Sequence, residues 1–292
     1  MIEAREEVWR ANGLAHHVIT WDGGGAPVVL CHGFLDIAWS WRDVAQQLAA
    51  AGRRVIAFDW RGHGETEWIG AGGYYHFPDY VRDLEEIVRR ATGEPRAPID
   101  LVGHSMGGSA CAMYAGAFPE QVRRLVLVEG LGPPEQDLSG APDRVRAWFR
   151  GLDDAHGKPR RPMASIADVL VRMRVQNPDV PDEMGALLAE KGTRPAPDGP
   201  GRVWRFDPLH RTTSPMPFVK AVFLGFTSRI AASTLLVNGS RGLRTPDDDE
   251  RAATIRGARR VWVDGAGHMI HWTHARALAA AALEHFAGAE GA

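Results

Sequence analysis

The run Gly103-His104-Ser105-Met106-Gly107 sets a serine between two glycines, where the apolar stretch IDLVG gives way to the helical pattern MGGSACAMYAGAF. A strained strand-to-helix turn lifts such a hydroxyl clear of the sheet, where it can attack a carbonyl carbon; glycines are needed because side chains there would meet neighbouring backbone. Capping the helix is the other role open to this serine. A carboxylate stands in an equally unusual place: Glu129 ends the apolar run RRLVLVEG. A buried charge is costly unless paired, so Glu129 calls for a cationic partner, which a nearby arginine could also supply. Asp247, Asp248 and Asp249 follow Pro246 in a helical first turn, where the helix dipole favours acids, and capping is their expected role. Histidines gather at His268, His271 and His274 in DGAGHMIHWTH. With no carboxylate or cysteine at a familiar ligand spacing beside them, no metal is expected, and no cofactor.

The elements that position these residues alternate. PVVLCHG, RRVIAFDW, IDLVGHS and RRLVLVEG read as strands, and WRDVAQQLAAAG and PDYVRDLEEIVRRAT as helices between them. Nearly continuous apolar strands separated by helices predict a parallel sheet covered on both faces. In the second helix Val81, Leu84, Ile87 and Val88 share one face, with Asp83, Glu85 and Glu86 around the rest. HHVITWDG reads as an antiparallel edge strand turning at Gly23, Gly24 and Gly25. After Gly130 the rhythm breaks: to about Arg229 proline and glycine are dense and no buried-strand pattern occurs, yet helical pieces recur at 144–152 and 165–175. That composition predicts an inserted, mainly helical cap over 131–229, within a core formed by 1–130 and 230–292. Strand and helix resume with STLLVNG, RRVWVDGAGH and a terminal helix.

Length and charge exclude several classes. The chain has 292 residues, with 34 basic and 36 acidic side chains for a net charge of −2, scattered rather than gathered in one stripe. Nucleic acid is therefore not an expected partner. No stretch has the length of a membrane span, and the first residues lack a basic segment followed by an apolar core, so the expected location is the cytoplasm. Cys31 and Cys111 lie in apolar runs and read as buried thiols rather than a disulfide. The expected partner is a small-molecule substrate.

On these motifs the sequence resembles the α/β-hydrolase superfamily. CHGF (31–34) is similar to its oxyanion loop, DWRGHGETEW (59–68) to its D-x-R-G-x-G loop, and VGHSMGG to its nucleophile elbow. The resemblance implies the α/β-hydrolase fold, a mostly parallel doubly wound sheet with the helical cap after the sixth strand. It implies Ser105 as nucleophile, His268 as base, and the backbone N–H groups of Phe34 and Met106 as oxyanion donors. His32 and His63 would brace the loops; His271 and His274 would be polar residues at the start of the last helix. The family's usual acid position, three residues after the strand-ending Gly239, holds Gly242. Some members carry the acid after the sixth strand, which falls on Glu129 here, and the order Ser105, Glu129, His268 keeps the family's nucleophile–acid–base order. Asp247 is the other candidate.

With serine as nucleophile the implied chemistry is acyl transfer to water, most simply hydrolysis of a carboxylic ester. Carbon–carbon hydrolysis of a diketone, thioester hydrolysis and acyl transfer use the same machinery, and a ligand-binding protein disabled at Gly242 is the alternative of another class. Trp39, Phe218, Phe223 and Phe226 are the expected contacts for an apolar part of the substrate.

Overall fold

The computed structural model describes residues 2–93, 97–157 and 161–288. Residues 158–160 of the expected insert lie outside them.

An eight-stranded sheet forms the centre. The antiparallel edge strand β1 (Ala4–Ala11) pairs across the two-residue turn Asn12-Gly13 with β2 (Leu14–Trp21), so the strand of HHVITWDG is antiparallel as expected but second in the sheet, not its edge. Both turn residues have positive φ, 46° and 81°, the geometry that suits the twist of a hairpin and that asparagine and glycine supply. β1 is absent from the reading above, because its charged sequence AREEVWRA masks the alternation. The parallel part comprises β3 (Val28–Cys31), β4 (Val55–Phe58), β5 (Ile99–His104) and β6 (Val122–Val128). Two later strands complete it, so their labels follow the insert's short hairpin, β7 (Thr193–Pro195) with β8 (Arg202–Trp204): β9 is Ser233–Gly239 and β10 is Arg259–Val263. The order across the sheet is β1-β2-β4-β3-β5-β6-β9-β10. β3, β4 and β5 are buried along their whole length, as helices on both faces require.

On one face α1 (Arg42–Ala50), α9 (Ile270–Thr273) and α10 (Ala275–Ala287) cover Val28, Leu30, Val126 and Leu235. On the other, α2 (Phe77–Thr92) and α3 (Met106–Ala117) cover Val29, Phe58, Leu101 and Leu125. The apolar stripe of α2 lies as its periodicity predicts, but Asp83 and Glu85 are buried rather than facing solvent. Asp83 is tied in two places to the buried Arg61, at 2.6 and 2.7 Å, a bidentate pairing that helical periodicity cannot reveal.

Between β6 and β9 stand α4 (Ala141–Gly157), α5 (Ile166–Gln176), α6 (Asp182–Lys191), the β7–β8 hairpin and α7 (Lys220–Thr227). The hairpin departs from the strand-free expectation; its three-residue strands are too short to carry an alternating pattern. Helices α5 and α6 share a core of Met163, Val169, Met173, Met184 and Leu188, which continues to Ile37 and Trp272. α7 instead packs on α3: a Cβ on Gly116 would come within 2.2 Å of the Phe226 carbonyl oxygen. Among the described residues no helix is long and apolar enough to cross a membrane.

Candidate active site

Ser105 occupies the junction of β5 and α3 with φ 52° and ψ −116°, a region L-residues enter only at a cost of about 1–3 kcal/mol. Its N–H is fixed by the Val128 carbonyl at 2.9 Å, and its side chain makes no capping bond to α3, so the capping role is not taken. The turn is tight because α3 begins against the loop after β3: a Cβ on Gly107 would lie 2.4 Å from the His32 carbonyl oxygen. Met106 is the first residue of α3, so its N–H has no acceptor within the helix. Phe34, half exposed, and Met106 both border the cavity onto which Ser105 opens.

Glu129 follows β6 and, like Ser105, has φ 52°. Three of the four non-glycine residues at positive φ among the described residues, Leu35, Ser105 and Glu129, stand in or beside this site. The Glu129 side chain is fully buried and pairs with no arginine among the described residues. Its Oε1 accepts from the Gly239 N–H at 2.8 Å and the Asn238 amide at 3.4 Å; its Oε2 accepts from the Leu243 N–H at 2.6 Å and faces His268 Nδ1 at 3.4 Å. The carboxylate thus ties the end of β9 and the loop after it to the histidine. A Cβ on Gly242 would fall 2.1 Å from Glu129 Oε1. Glycine at 242 leaves the room that Glu129 fills.

Asp247 points elsewhere. It pairs with Arg251 at 2.9 Å and Lys220 at 3.5 Å. Burial opposes its ionisation, but hydrogen bonds from Thr245 and Arg251 outweigh that and hold the carboxyl at about 2. The three aspartates make ion pairs with Arg244, Arg251 and Arg260, and the Asp247 side chain forms no capping bond.

His268 lies between β10 and α9 with its side chain about a quarter exposed, and it borders the same cavity as Ser105 and Glu129. His271 and His274 do not: His271 is buried and bonds Asp36 at 2.9 Å, and His274 bonds the Thr273 hydroxyl at 2.8 Å. The cavity has a volume of about 540 Å³. Tyr74, Tyr75, Phe77 and Tyr80, on α2 and the loop before it, form one wall, with Leu131 and Pro133 after β6; Arg244, Thr245 and Asp248 contribute polar groups. None of the aromatic residues expected at the substrate lines it. Phe223 is buried against α3, Phe218 packs on Phe223 and the Arg251 guanidinium, and Phe226 belongs to α7. Trp39 lies at the β2 end of the molecule, against Trp21 and the Lys191 ammonium. The tyrosines went unread because YYHF carries neither strand nor helix periodicity.

Histidines and acids behind the site hold its loops. His32 Nε2 accepts from the Trp60 N–H at 3.0 Å, and the Trp60 indole donates to the His32 carbonyl at 2.9 Å. Asp59 accepts from the Ala38 N–H at 2.6 Å and the Glu65 N–H at 3.0 Å, and pairs with His17 Nδ1 at 2.8 Å. His63 stacks near His210, with ring centres 4.1 Å apart; burial drives both below the ordinary histidine range, His210 to about 3, so both are neutral.

Comparison with known proteins agrees with this architecture. Residues 26–275 match the family described as alpha/beta hydrolase fold. A serine hydrolase-like protein of Danio rerio is 26% identical over 200 residues, 68% of this chain and 57% of that one, so the chain spans little more than half of that relative. A 2-hydroxy-6-oxo-2,4-heptadienoate hydrolase of Pseudomonas putida is 40% identical over 176 residues, 59% of this chain and 58% of its own. Among solved structures, the thioesterase domain from the curacin biosynthetic pathway superposes with a TM-score of 0.85 at 28% identity, covering 97% of this chain and 99% of that one.

Proposed function

The chain belongs to the α/β-hydrolase family, and on that footing we propose that it hydrolyses carboxylic esters of small, partly apolar molecules through an acyl-enzyme on Ser105, with His268 as base and Glu129 as the acid. The observation that carries this reading is the contact of the buried Glu129 carboxylate with His268 Nδ1 beside a cavity that also exposes Ser105. A carboxylate on Nδ1 fixes the tautomer that leaves Nε2 free to take the serine proton, and it stabilises the imidazolium that results. Ser105 Oγ then forms a bond to the carbonyl carbon while the oxygen takes up negative charge. The Met106 and Phe34 N–H groups are the donors this reading assigns to that oxygen, each worth about 3–4 kcal/mol of barrier. The imidazolium returns its proton to the departing alcohol, and water, activated by the same histidine, releases the acid. The helices over 131–229 serve as the lid that limits access. Its mixed walls suit an ester with an aromatic or aliphatic portion and some polarity, within the volume usual for small-molecule sites.

A second reading is favoured by one observation, the 40% identity to the heptadienoate hydrolase. A 6-oxo dienoate has no ester, so its hydrolysis breaks a carbon–carbon bond next to the ketone, and Arg244 in the cavity could then receive the carboxylate. The experiment that tests the main reading is fluorophosphonate labelling together with p-nitrophenyl acetate turnover. Wild type should be labelled on Ser105 and turn over; Ser105→Ala should do neither. Labelling without turnover of any ester, but with cleavage of a 6-oxo dienoate, would replace the first reading by the second.

A further inference from the structure

Behind the catalytic histidine lies a group of side chains that the hydrolytic reading does not use. Asp36, His104 and His271 are all buried, and one ligand atom from each falls within 4.8 Å of the others. They come from three separate segments: Asp36 in the loop after β3, two residues after Phe34; His104 at the end of β5, immediately before Ser105; and His271 in α9, three residues after His268. We propose that they form a binding site for a single divalent transition cation of the zinc class, which clamps together the three segments that carry Phe34, Ser105 and His268.

Two imidazoles and one carboxylate suit such an ion far better than magnesium or calcium, which take oxygen ligands. The protonation pattern supports the assignment. His104 Nε2 faces the His268 carbonyl oxygen at 3.0 Å, so that nitrogen carries the proton. His104 Nδ1 is then a bare lone pair, buried and without a donor among the described residues. A ligand histidine characteristically donates its other N–H to a backbone carbonyl, as His104 does to His268. His271 differs: its Nε2 faces Asp36 Oδ2 at 2.9 Å, and its Nδ1 is buried with no hydrogen-bond partner among the described residues. An ion seated between His271 Nε2 and Asp36 takes the place of the proton between them, which moves to Nδ1 of the same ring. Asp36 is itself oriented by the Ser40 hydroxyl and the Ile37 N–H, both at 2.9 Å. The rings of His104 and His271 lie 4.3 Å apart, tilted toward one another beside Asp36. With all three groups buried, the ion is acquired as these segments come together during folding.

The test uses the full chain, expressed with zinc in the medium and desalted without chelator. Metal analysis should find about one zinc per wild-type chain, and stripping it with a strong chelator should lower the thermal midpoint. Asp36→Asn and His271→Gln should each lose the metal or bind it at least roughly 100-fold more weakly, since loss of a supporting group around a ligand already costs about 10–100-fold. His271→Gln can keep a hydrogen bond to Asp36, so it carries the test if Asp36→Asn does not fold. His268→Ala should retain the zinc. A wild-type chain that emerges without zinc overturns the proposal. So does zinc retained by both Asp36→Asn and His271→Gln, or zinc lost in His268→Ala, which would place the ion at the hydrolytic centre.

Discussion

The Glu129 carboxylate fills the space that a side chain at Gly242 would need: the nearest oxygen stands 2.1 Å from where a Cβ would be. Strands β6 and β9 are parallel neighbours with Val128 opposite Val237, so Glu129 and the loop after Gly239 leave the same end of the sheet, and side chains at 129 and 242 compete for one volume.

Glu129→Gln should lower kcat by roughly 10³–10⁴-fold with little change in KM, because the imidazolium it stabilises forms on the reaction path. The amide also presents a donor where the carboxylate accepts from Gly239, Leu243 and Asn238, so stability should fall by about 1–3 kcal/mol. Steady-state kinetics and urea unfolding check both parts; wild-type kcat in the folded variant would remove Glu129 from the mechanism.

Gly242→Ala should impair the enzyme although alanine carries no charge, with kcat down at least about 100-fold and stability down about 1–3 kcal/mol as the Glu129 side chain is displaced. Gly242→Asp should fail to rescue Glu129→Gln, since the glutamine still fills the space. In the Glu129→Gly background the same aspartate has room, and kcat should recover at least about tenfold over the single variant. Recovery in the glutamine background and none in the glycine background would show that overlap is not what governs this pair.

How far the sequence discloses this site differs by residue. Ser105 was legible because its demand is local: a strand, a tight turn and a helix within seven residues. Glu129 was legible because a carboxylate at the end of an apolar strand is anomalous wherever its side chain goes. The reason for Gly242 was hidden, because it lies in the volume of a side chain 113 positions earlier, contacted at 2.1 Å. Strands and helices over 28–128 follow from periodicity, whereas the burial of Asp83 depends on a partner, Arg61, on another element. The aromatic wall was misplaced for the same reason: α7, KAVFLGFT, is apolar almost throughout, and nothing in its pattern says that Phe223 faces α3 rather than a cavity.

Tyr74→Ala or Phe77→Ala should raise KM for long-chain p-nitrophenyl esters more than for acetate, since both residues line the cavity. Phe223→Ala should cost about 3–5 kcal/mol of stability and leave the order of preference among chain lengths unchanged. A chain-length shift in Phe223→Ala without loss of stability would move the pocket wall to α7.

The pair His17–Asp59 gives a pH dependence with a definite sign. Burial alone would lower the His17 pKa, but the Asp59 hydrogen bond and charge, helped by Glu6, raise it from 6.5 to about 9, while Asp59 is held below the usual carboxylate range. A histidine whose folded pKa is raised contributes fully below its unfolded value and loses that contribution as pH rises through the folded one. Unfolding free energy should therefore fall between about pH 6.5 and 9 by no more than about 3 kcal/mol. His17→Gln should flatten that slope, which urea titrations at several pH values would show.

The backbone at Ser105, with φ 52° and ψ −116°, sets chemistry and durability against each other. Glycine tolerates that conformation without strain, so Ser105→Gly should yield a protein that melts later and has lost its nucleophile. Thermal tolerance alone would favour glycine at 105; on the proposed mechanism, the strained serine is what holds a nucleophile clear of the sheet.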